Sequence, residues 1–350
     1  MERTGIMARV LAVVLLLSLL VSGAGVLAQD DVVLGPVTQR IMERGELICG
    51  VNQQLAGFGV VNDAGEFEGF DIDICRAVAA AVLGDANAIS FRPLAAAERQ
   101  AAIQGGEIDV MSRNTTWTLS RDVVWGATFG PTTFYDGQGI GTRVDLGVTT
   151  MEELDGASIC VTQGTTTELN ISDAVAARGL DITILTQPDI AAAWQGYLDG
   201  RCEAWTTDKS SLAALHATSA DPSQHMVLDV TLSKEPLGPL SPQSDPQFAD
   251  IVAWTVFGLI NAEEAGITSE NIDDFLGSDD PTIQRLLGQN DNASGSYLGI
   301  PNDFMVAVIR QLGNYGEIFH RHLGVPPFNL GRGINALWTD GGLLYGPPFR

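Results

Sequence analysis

The sequence predicts an α/β protein with two lobes, each built on a mainly parallel sheet with flanking helices. Two observations support this fold class. Apolar strands alternate with helices, and the order strand–helix–strand–helix–strand occurs twice, over about 45–130 and about 155–230. Such alternation is typical of parallel sheets that have helices on both faces. The 350 residues, 45% of them hydrophobic, are also enough for two domains. We therefore expect a ligand cleft between two lobes.

The first unit opens with a short apolar strand at 46–51. A helix is predicted over 70–83 because its apolar residues recur at helical spacing and Gly84 stops it. The remaining elements of this unit are a strand at 89–91, a helix over 95–104 that Gly105 and Gly106 stop, and a strand at 108–111.

The second unit repeats this layout without repeating the sequence. Its elements are a strand at 157–161, a helix over 167–178, a strand at 182–185, a helix over 190–198 and a strand at 202–206. The glycine-rich segment 132–144 between the units is predicted to be an extended crossover. After Leu228, four prolines predict a loop, and an apolar helix follows over 248–265.

The N-terminus predicts a cleaved secretory signal peptide. Arg3 and Arg9 precede an almost purely aliphatic run over 10–21, which is too short for a membrane span, and Ala28 ends a stretch of small residues. The alternative is an N-terminal membrane anchor. The resulting division is residues 1–28 as signal peptide, 29–134 as the first part of lobe 1, 135–231 as lobe 2, and 232–350 as a return to lobe 1 with a C-terminal extension.

The charge balance argues against nucleic acid as a partner. The chain has 43 Asp and Glu residues against 19 Lys and Arg residues, which gives a formal net charge of −24. Phosphate backbones are bound by lysine and arginine through counterion release, so such a chain would be repelled by them. An anionic membrane surface is disfavoured for the same reason.

Four cysteines, an even number, suit an exported protein with two disulfides. They are Cys49, Cys75, Cys160 and Cys202, and none forms a closely spaced pair of the kind that ligates metals. Three pairings are possible, and the count alone does not select one. Buried free thiols are the alternative.

Three polar runs follow predicted strands, where parallel sheets bind ligands. The first, 112–121, contains hydroxyls, an amide and two guanidinium groups, and an arginine fork suits a carboxylate. The second, 163–168, opens a helix, where free backbone N–H groups favour an anion. The third places Asp208 at the edge of the second sheet. Each run also has an ordinary interpretation, since threonine and aspartate cap helices and Arg121 could be solvated.

Taken together, the three runs predict one zwitterionic ligand. Arg121 would bind its carboxylate and Asp208 its ammonium group. Because these residues come from different lobes, the ligand would favour closure of the lobes.

The sequence resembles the polar-amino-acid family of ABC-transporter substrate-binding proteins, and most closely the general L-amino-acid-binding periplasmic group. The resemblance covers essentially all of the chain after the signal peptide. The motifs that carry it are Gly69–Asp73, Gly106–Val110, Ser112–Arg121, Gln163–Glu168, Ser233–Gly238, Gly313–Gly316 and Arg332–Trp338. It implies a type II periplasmic-binding-protein fold, a periplasmic location, and delivery of broadly chosen L-amino acids to ABC permease subunits. It implies no cofactor, no metal and no catalytic residue, and we expect a monomer.

The resemblance also implies residue roles. Asn114 meets the ligand ammonium through its carbonyl, and Asp208 accepts from the same group. Thr116, Arg121 and Thr166 bind the α-carboxylate, with Thr165 beside them.

The expected side-chain pocket is roomy. Leu55 and Ala96 stand where many members have large residues, and Asn52 stands where some have an acid that selects cationic ligands. The resemblance further implies the disulfides Cys49–Cys75 and Cys160–Cys202.

Two other functional classes remain open at this point. One is an enzyme on the same fold, such as a periplasmic cyclohexadienyl-type dehydratase, which would need a general acid or base in the cleft. The four histidines lie outside the three runs, and His320 and His322 are expected to be packed or solvated rather than metal ligands. The other class is an amino-acid sensor that acts through a separate membrane receptor.

Overall fold

Two β-sheets, each flanked by helices, carry the fold, as the sequence predicts. A computed structural model describes residues 32–289 and 294–350, so the predicted signal peptide, 1–28, lies outside the described residues. All elements below belong to the unit Leu34–Arg350. The strands are β1 Leu47–Val51, β2 Gln54–Leu55, β3 Gly59–Val61, β4 Phe67–Glu68, β5 Ile89–Pro93, β6 Val110–Met111, β7 Ala127–Phe129, β8 Phe134–Arg143, β9 Ser158–Thr162, β10 Thr183–Gln187, β11 Ala204–Asp208, β12 His225–Val227, β13 Lys234–Leu237 and β14 Leu240–Pro242.

The helices agree closely with the sequence pattern. The helix predicted over 70–83 has these limits in the structure, and the one predicted over 95–104 begins as a 3₁₀ turn, Ala96–Glu98. The helices are α1 Pro36–Arg44, α2 Phe70–Leu83, α3 Arg99–Gln104, α4 Leu119–Val124, α5 Thr166–Arg178, α6 Ile190–Leu198, α7 Lys209–Thr218, α8 Pro246–Glu264, α9 Ile272–Phe275, α10 Pro281–Leu286, α11 Ser294–Leu298, α12 Phe304–Leu312 and α13 Tyr315–Phe319.

The first sheet has the order β5-β1-β6-β14-β7, and the second β10-β9-β11-β8-β12, with β13 also paired to β8. In each sheet three neighbouring strands pair in parallel, and the strand that follows a crossing between sheets, β8 or β14, runs antiparallel to its neighbours. We call the elements around the first sheet the first lobe and those around the second sheet the second lobe. A small antiparallel sheet, β2-β3-β4, lies beside them.

The segment 132–144, expected to be a crossover, is instead mostly strand β8 in the interior of the second sheet. Its glycines hide the alternation of apolar residues by which a strand is recognised. A Cβ on Gly139 would lie 2.9 Å from Leu212 and 3.0 Å from Lys209, so helix α7 packs where a side chain would stand. The glycines are required by this close packing and do not indicate a loop.

The proline-rich segment after Leu228, which the sequence predicts to be a loop, forms the two short strands β13 and β14 instead. Strand β13 pairs with β8, and β14 pairs with β6 and β7, so the chain crosses between sheets at 238–239. The earlier crossing runs through 130–133, between β7 and β8. Pro236 is tolerated because a strand position at an edge needs no donated N–H, and its carbonyl accepts from the Trp117 backbone N–H at 2.8 Å.

The C-terminal region packs on the first lobe and reaches the first crossing. Helices α12 and α13 bury their apolar faces in the same core as α2 and α8. The Tyr315 hydroxyl donates to the Thr133 carbonyl at 2.6 Å. The Asn335 amide exchanges two hydrogen bonds with the Tyr135 backbone, at 2.6 and 3.0 Å. The extension therefore braces one of the two connections between the sheets.

The four cysteines form the disulfides Cys49–Cys75 and Cys160–Cys202, the pairing that the family resemblance implies. Each bridge joins two segments of one lobe, so neither ties the lobes together. Across the described ranges, no helix is both long enough and apolar enough to span a membrane.

Candidate functional site

The three polar runs meet at the carboxyl ends of the strands, in a small cavity between the lobes. The run 112–121 follows β6, the run 163–168 follows β9, and Asp208 ends β11. The cavity measures about 30 Å³, which is room for about two water molecules. Its lining residues are Arg99, Arg113, Asn114, Thr116, Arg121, Thr165, Thr166, Thr167, Thr207 and Asp208.

Asp71, at the start of α2, fixes the first run. Its two carboxylate oxygens accept from the Ser112 hydroxyl at 2.9 Å and from the Asn114 backbone N–H at 2.7 Å. Asn114 has φ +31°, in the left-handed region that asparagine tolerates better than most residues. Burial raises the pKa of Asp71 to about 6, although both hydrogen bonds oppose this rise. Asp71 therefore holds an unfavourable backbone conformation that turns Asn114 into the cleft.

Arg121 is a buried cation without a carboxylate partner. Its side chain is 6% exposed, its Nη1 donates to the Thr116 carbonyl at 2.9 Å, and its guanidinium lies 5.1 Å from the centre of the Trp125 ring. Among the described residues no salt bridge involves it. Burial lowers the pKa of Arg121, and the charges of Glu235 and Asp208 partly offset that effect. Thr118 caps α4, but the interpretation of Arg121 as a solvated residue is wrong.

Two threonines of the second run, Thr165 and Thr166, have different contacts. Thr165 caps α5: its hydroxyl accepts from the Glu168 N–H at 3.1 Å and donates to the Thr162 carbonyl at 2.6 Å. The Thr166 hydroxyl instead points across the cleft and lies 3.3 Å from the Thr116 hydroxyl. Gly164 has φ +74°, and a Cβ there would lie 3.2 Å from the backbone of Ala97 in the other lobe. The lobes therefore meet at this loop.

Asp208 is a buried carboxyl on the opposite wall from Arg121. Although it precedes α7, its side chain makes no capping hydrogen bond to that helix, so the capping interpretation is wrong. It accepts from the Asn114 side-chain amide of the other lobe at 3.4 Å. Burial raises the pKa of Asp208 well above its usual range, and the nearby charges of Asp136 and Glu235 raise it further.

The three residues expected in the pocket wall do not line this cavity. Leu55 and Ala96 are buried, at 0% and 3% exposure. Asn52 is 4% exposed, donates to the Asn114 side-chain oxygen at 3.3 Å and accepts from the Gln54 N–H at 3.0 Å. Asn52 therefore orients the side chain of Asn114 through this hydrogen bond and does not line the cavity.

Two further buried arginines, to which the sequence analysis assigned no role, line the cavity. Arg99 is 2% exposed and donates to the Gly164 carbonyl of the other lobe at 3.1 Å, while Arg113 is 7% exposed and donates to the Leu94 carbonyl at 2.7 Å. Burial lowers the pKa of Arg113 to about 10 and that of Arg99 well below its usual range. Arg113 lies inside the first polar run, and this position could have indicated its place in the site. Arg99 lies in an alanine-rich helix, where nothing in the sequence indicates a role in binding.

Glu235 was also missed as a member of the site. It is 1% exposed, and its carboxylate accepts from the hydroxyls of Thr116 at 2.5 Å and Thr166 at 2.8 Å. Its motif, Ser233–Gly238, contributed to the family resemblance, but nothing in the sequence placed it beside the two threonines.

The cavity brings opposite charges together. Three guanidinium groups of the first lobe, those of Arg99, Arg113 and Arg121, and the Asp208 carboxyl of the second lobe line it. In the parts of the chain that the structure describes, no group of three or more His, Cys, Asp or Glu residues could hold a metal ion. His322 lies outside the three polar runs, and so does its partner. Its Nε2 atom lies 2.7 Å from the Asp73 carboxylate.

Comparisons with known proteins agree with this geometry. Residues 47–263 match the family model described as bacterial extracellular solute-binding proteins, family 3. The general L-amino acid-binding periplasmic protein AapJ of Rhizobium johnstonii is 46% identical over 334 residues, which cover 94% of this chain and 97% of that protein. The glutamate/glutamine/aspartate/asparagine-binding protein BztA of Rhodobacter capsulatus is 43% identical over 312 residues, which cover 89% and 92% of the two chains.

A solved structure is similar over nearly the same span. It is an ABC transporter periplasmic binding protein from Brucella ovis with glutathione bound, 46% identical, with a TM-score of 0.87. The match covers 89% of this chain and 99% of that one.

The raised pKa of Asp71 predicts a pH dependence of stability. A carboxyl whose pKa rises on folding stabilises the native state fully below its unfolded pKa of 3.8, and this contribution is lost as the pH rises through about 6. A rise from 3.8 to about 6 corresponds to about 3 kcal/mol. Between about pH 4 and pH 7.5, we expect the free energy of unfolding to fall by about that much more in the wild type than in Asp71→Asn. Urea unfolding at several pH values measures this, with the exposed Asp63→Asn as control. Equal pH slopes in wild type and Asp71→Asn would contradict it.

Proposed function

We propose, since this chain belongs to family 3 of the bacterial extracellular solute-binding proteins, that it captures free L-amino acids and delivers them to an ABC importer. The observation that carries the proposal is the pair of buried, mutually unpaired charges, Arg121 on one lobe and Asp208 on the other. An α-amino acid has one carboxylate and one ammonium group, two bonds apart. It therefore supplies the counter-charges for both walls at once.

The α-carboxylate would lie against Arg121, with the hydroxyls of Thr116 and Thr166 beside it. Within the described residues, the Arg121 side chain donates through Nη1 alone, to the Thr116 carbonyl, so its other N–H groups remain for a ligand. A guanidinium can hold a carboxylate through two parallel hydrogen bonds. Thr165 would support this site indirectly, since its hydroxyl is already used to cap α5.

The α-ammonium group would lie against Asp208 and the Asn114 carbonyl. We expect the left-handed backbone at Asn114, which Asp71 holds, to present that carbonyl to the ligand. An ammonium group next to Asp208 would supply the missing positive charge and lower its pKa toward the usual range.

The cavity is too small for an amino acid, so capture requires the lobes to separate and close again around the ligand. Side-chain selectivity would then depend on the wall formed by Asn52, Leu55 and Ala96 in the open form. These residues carry no charge, which supports broad specificity. The names of the two relatives, one general and one for acidic residues and their amides, are consistent with a permissive pocket.

The protein is a binding protein rather than an enzyme, as its relatives are. The dehydratase alternative would use a cleft carboxyl as general acid or base, whereas this proposal assigns the Asp208 carboxyl to the ligand ammonium group. The sensor alternative shares the same ligand site and differs only in the partner.

Export would place the chain in the periplasm after removal of residues 1–28, with the mature protein beginning near Gln29. The two disulfides are consistent with an oxidising compartment. The partners would be the transmembrane subunits of the permease.

Glutathione is a second candidate ligand. The similar Brucella ovis structure has glutathione bound, and the same cavity here contains two further buried guanidinium groups, Arg99 and Arg113. Glutathione carries a second carboxylate besides its amino-acid end, and that group would need a cationic partner. It belongs in the ligand set tested below.

Calorimetric titration of the mature protein with the common amino acids and glutathione tests the proposal. We expect several amino acids to bind. Arg121→Ala and Asp208→Ala should each weaken binding by at least about 100-fold, because each leaves a buried ligand charge unpaired at a cost of about 3 kcal/mol or more. The exposed residues Arg92→Ala and Asp199→Ala are matched controls. No binding by any amino acid, or near-wild-type affinity in either cleft variant, would contradict the proposal.

The pH dependence of binding gives an independent test of the role of Asp208. Because its pKa is raised in the empty protein and an ammonium group would lower it, binding should release protons, and affinity should fall as the pH drops from about 8 to about 5. Titrations in buffers of different ionisation enthalpy measure the protons released. The charges of Asp136 and Glu235 also act on the Asp208 carboxyl. The same titrations of Asp208→Asn therefore show how many of the released protons come from Asp208. A binding enthalpy that does not depend on the buffer at any of these pH values would be the contrary result.

A further inference from the structure

The ring of Trp125 lies against two buried arginines of the first lobe. The guanidinium carbon of Arg121 lies 5.1 Å from the centre of the ring, and that of Arg99 lies 5.6 Å from it. A cation within about 6 Å of the centre of an aromatic ring is attracted by the negative face of that ring. One uncharged side chain therefore stabilises two positive charges.

The two arginines destabilise each other as cations. Burial lowers the pKa of Arg99 well below its usual range, and the charge of Arg121 lowers it further. Charges repel each other more strongly in a buried site than in water, because the effective dielectric constant is lower. A ring that contacts both guanidinium groups offsets part of this repulsion, and tryptophan attracts cations more strongly than the other aromatic side chains.

Hydrogen bonds fix the direction of Arg99 more fully than that of Arg121. The side chain of Arg99 donates to three acceptors, at 2.9, 3.3 and 3.1 Å, which are the Ala96 carbonyl, the Thr115 hydroxyl and the Gly164 carbonyl. Within the described residues, the side chain of Arg121 donates to one acceptor, the Thr116 carbonyl. The direction of the Arg121 guanidinium therefore depends more on the contact with the ring.

The position of the ring is itself fixed. Trp125 follows the last residue of α4, and its backbone N–H donates to the Arg121 carbonyl at 3.1 Å. The ring is half-buried and packs against the apolar cluster of the first lobe that contains Met111, Phe129 and Leu240. Residues four apart on a helix lie on the same face. The ring is thus held in place relative to the turn of helix that carries Arg121.

Contact with an aromatic ring does not use the hydrogen-bond donors of a guanidinium. The group is planar, its five N–H donors lie in that plane, and aromatic rings stack on its face. A protein carboxylate in the same place would occupy some of the donors through charge-assisted hydrogen bonds. The ring of Trp125 therefore offsets the cost of burying Arg121 without competing for the donors that a ligand carboxylate needs.

We propose that Trp125 is the positioning residue of the carboxylate site, which keeps the Arg121 guanidinium directed at the cavity while its N–H donors remain for the ligand α-carboxylate. This inference rests on the proposed function. Trp125 is not among the residues that line the cavity, so it acts on the ligand through Arg121.

Trp125→Leu and Trp125→Phe test this by calorimetry with an amino acid that the wild type binds. We expect Trp125→Leu to weaken binding by about tenfold and Trp125→Phe, which keeps a ring face, to stay within about threefold of the wild type. In the Arg121→Ala background, Trp125→Leu should cause no further loss, because the group through which it acts is gone. Trp254→Leu is the matched control, since this half-buried indole packs against the rings of Phe257 and Phe349.

Three outcomes would overturn the inference. Near-wild-type affinity in Trp125→Leu would show that the ring contact does not matter for binding. Equal losses in Trp125→Leu and Trp125→Phe would show that the indole only fills space. A loss that persists undiminished in the Arg121→Ala background would show that Trp125 acts through Arg99 or through the fold.

Two further measurements keep the inference testable. If Trp125→Leu does not fold, stepwise fluorination of the indole at position 125 decides, because fluorine withdraws electrons from the ring face at nearly constant shape. Affinity should then fall with each added fluorine, and a constant affinity would refute the inference. If the wild type binds no amino acid, the proposed function fails, and urea unfolding tests the contact by itself. Trp125→Leu and Arg121→Ala should be non-additive in the free energy of unfolding, and additivity would rule the contact out.

Discussion

Two buried charges of opposite sign, on different lobes and not paired with each other, are the constraint on which the rest of this structure depends. Removing a guanidinium or a carboxylate from water is costly unless a partner replaces the lost hydration. In the part of the chain that the structure describes, Arg121 is offset by a carbonyl, an aromatic ring and more distant carboxylates, and Asp208 mainly by a long hydrogen bond from an amide. Such a cleft is incomplete without a molecule that carries both complementary charges.

The surrounding fold places these two groups on facing walls of one cavity. The carboxyl ends of the parallel strands in the two sheets supply the polar runs, and hydrogen bonds fix the first two of these runs. Asp71 fixes the loop of Asn114, and Thr165 fixes the start of α5 so that Thr166 faces the cleft. The two disulfides stay within their lobes, so the crossings between sheets are left to move. Where the chain crosses the second time, the Glu235 carboxylate accepts hydrogen bonds from Thr116 of the first lobe and Thr166 of the second.

The sequence predicts the regular parts of this arrangement because their signals are local. Helix α2 shows apolar residues at helical spacing and a terminal glycine, and the structure has its limits as predicted. The three polar runs were found because each directly follows a strand. Strand β8 was missed because close packing of α7 requires glycine where a strand would show an apolar residue, and β13 because Pro236 and the prolines that follow it resemble a loop. Arg99 and Glu235 were missed for a different reason, since their roles depend on contacts 65 and 119 residues away along the chain.

The central claim is that one ligand must satisfy both walls at once, and the most direct measurement removes the ligand charges one at a time. An amino acid that binds would be compared by calorimetry with its carboxamide, which lacks the carboxylate, and with its N-acetyl derivative, which lacks the ammonium group. The account predicts that each derivative binds at least about 100-fold more weakly, because each leaves Arg121 or Asp208 buried without its counter-charge. Retention of the parent affinity by either derivative would contradict it.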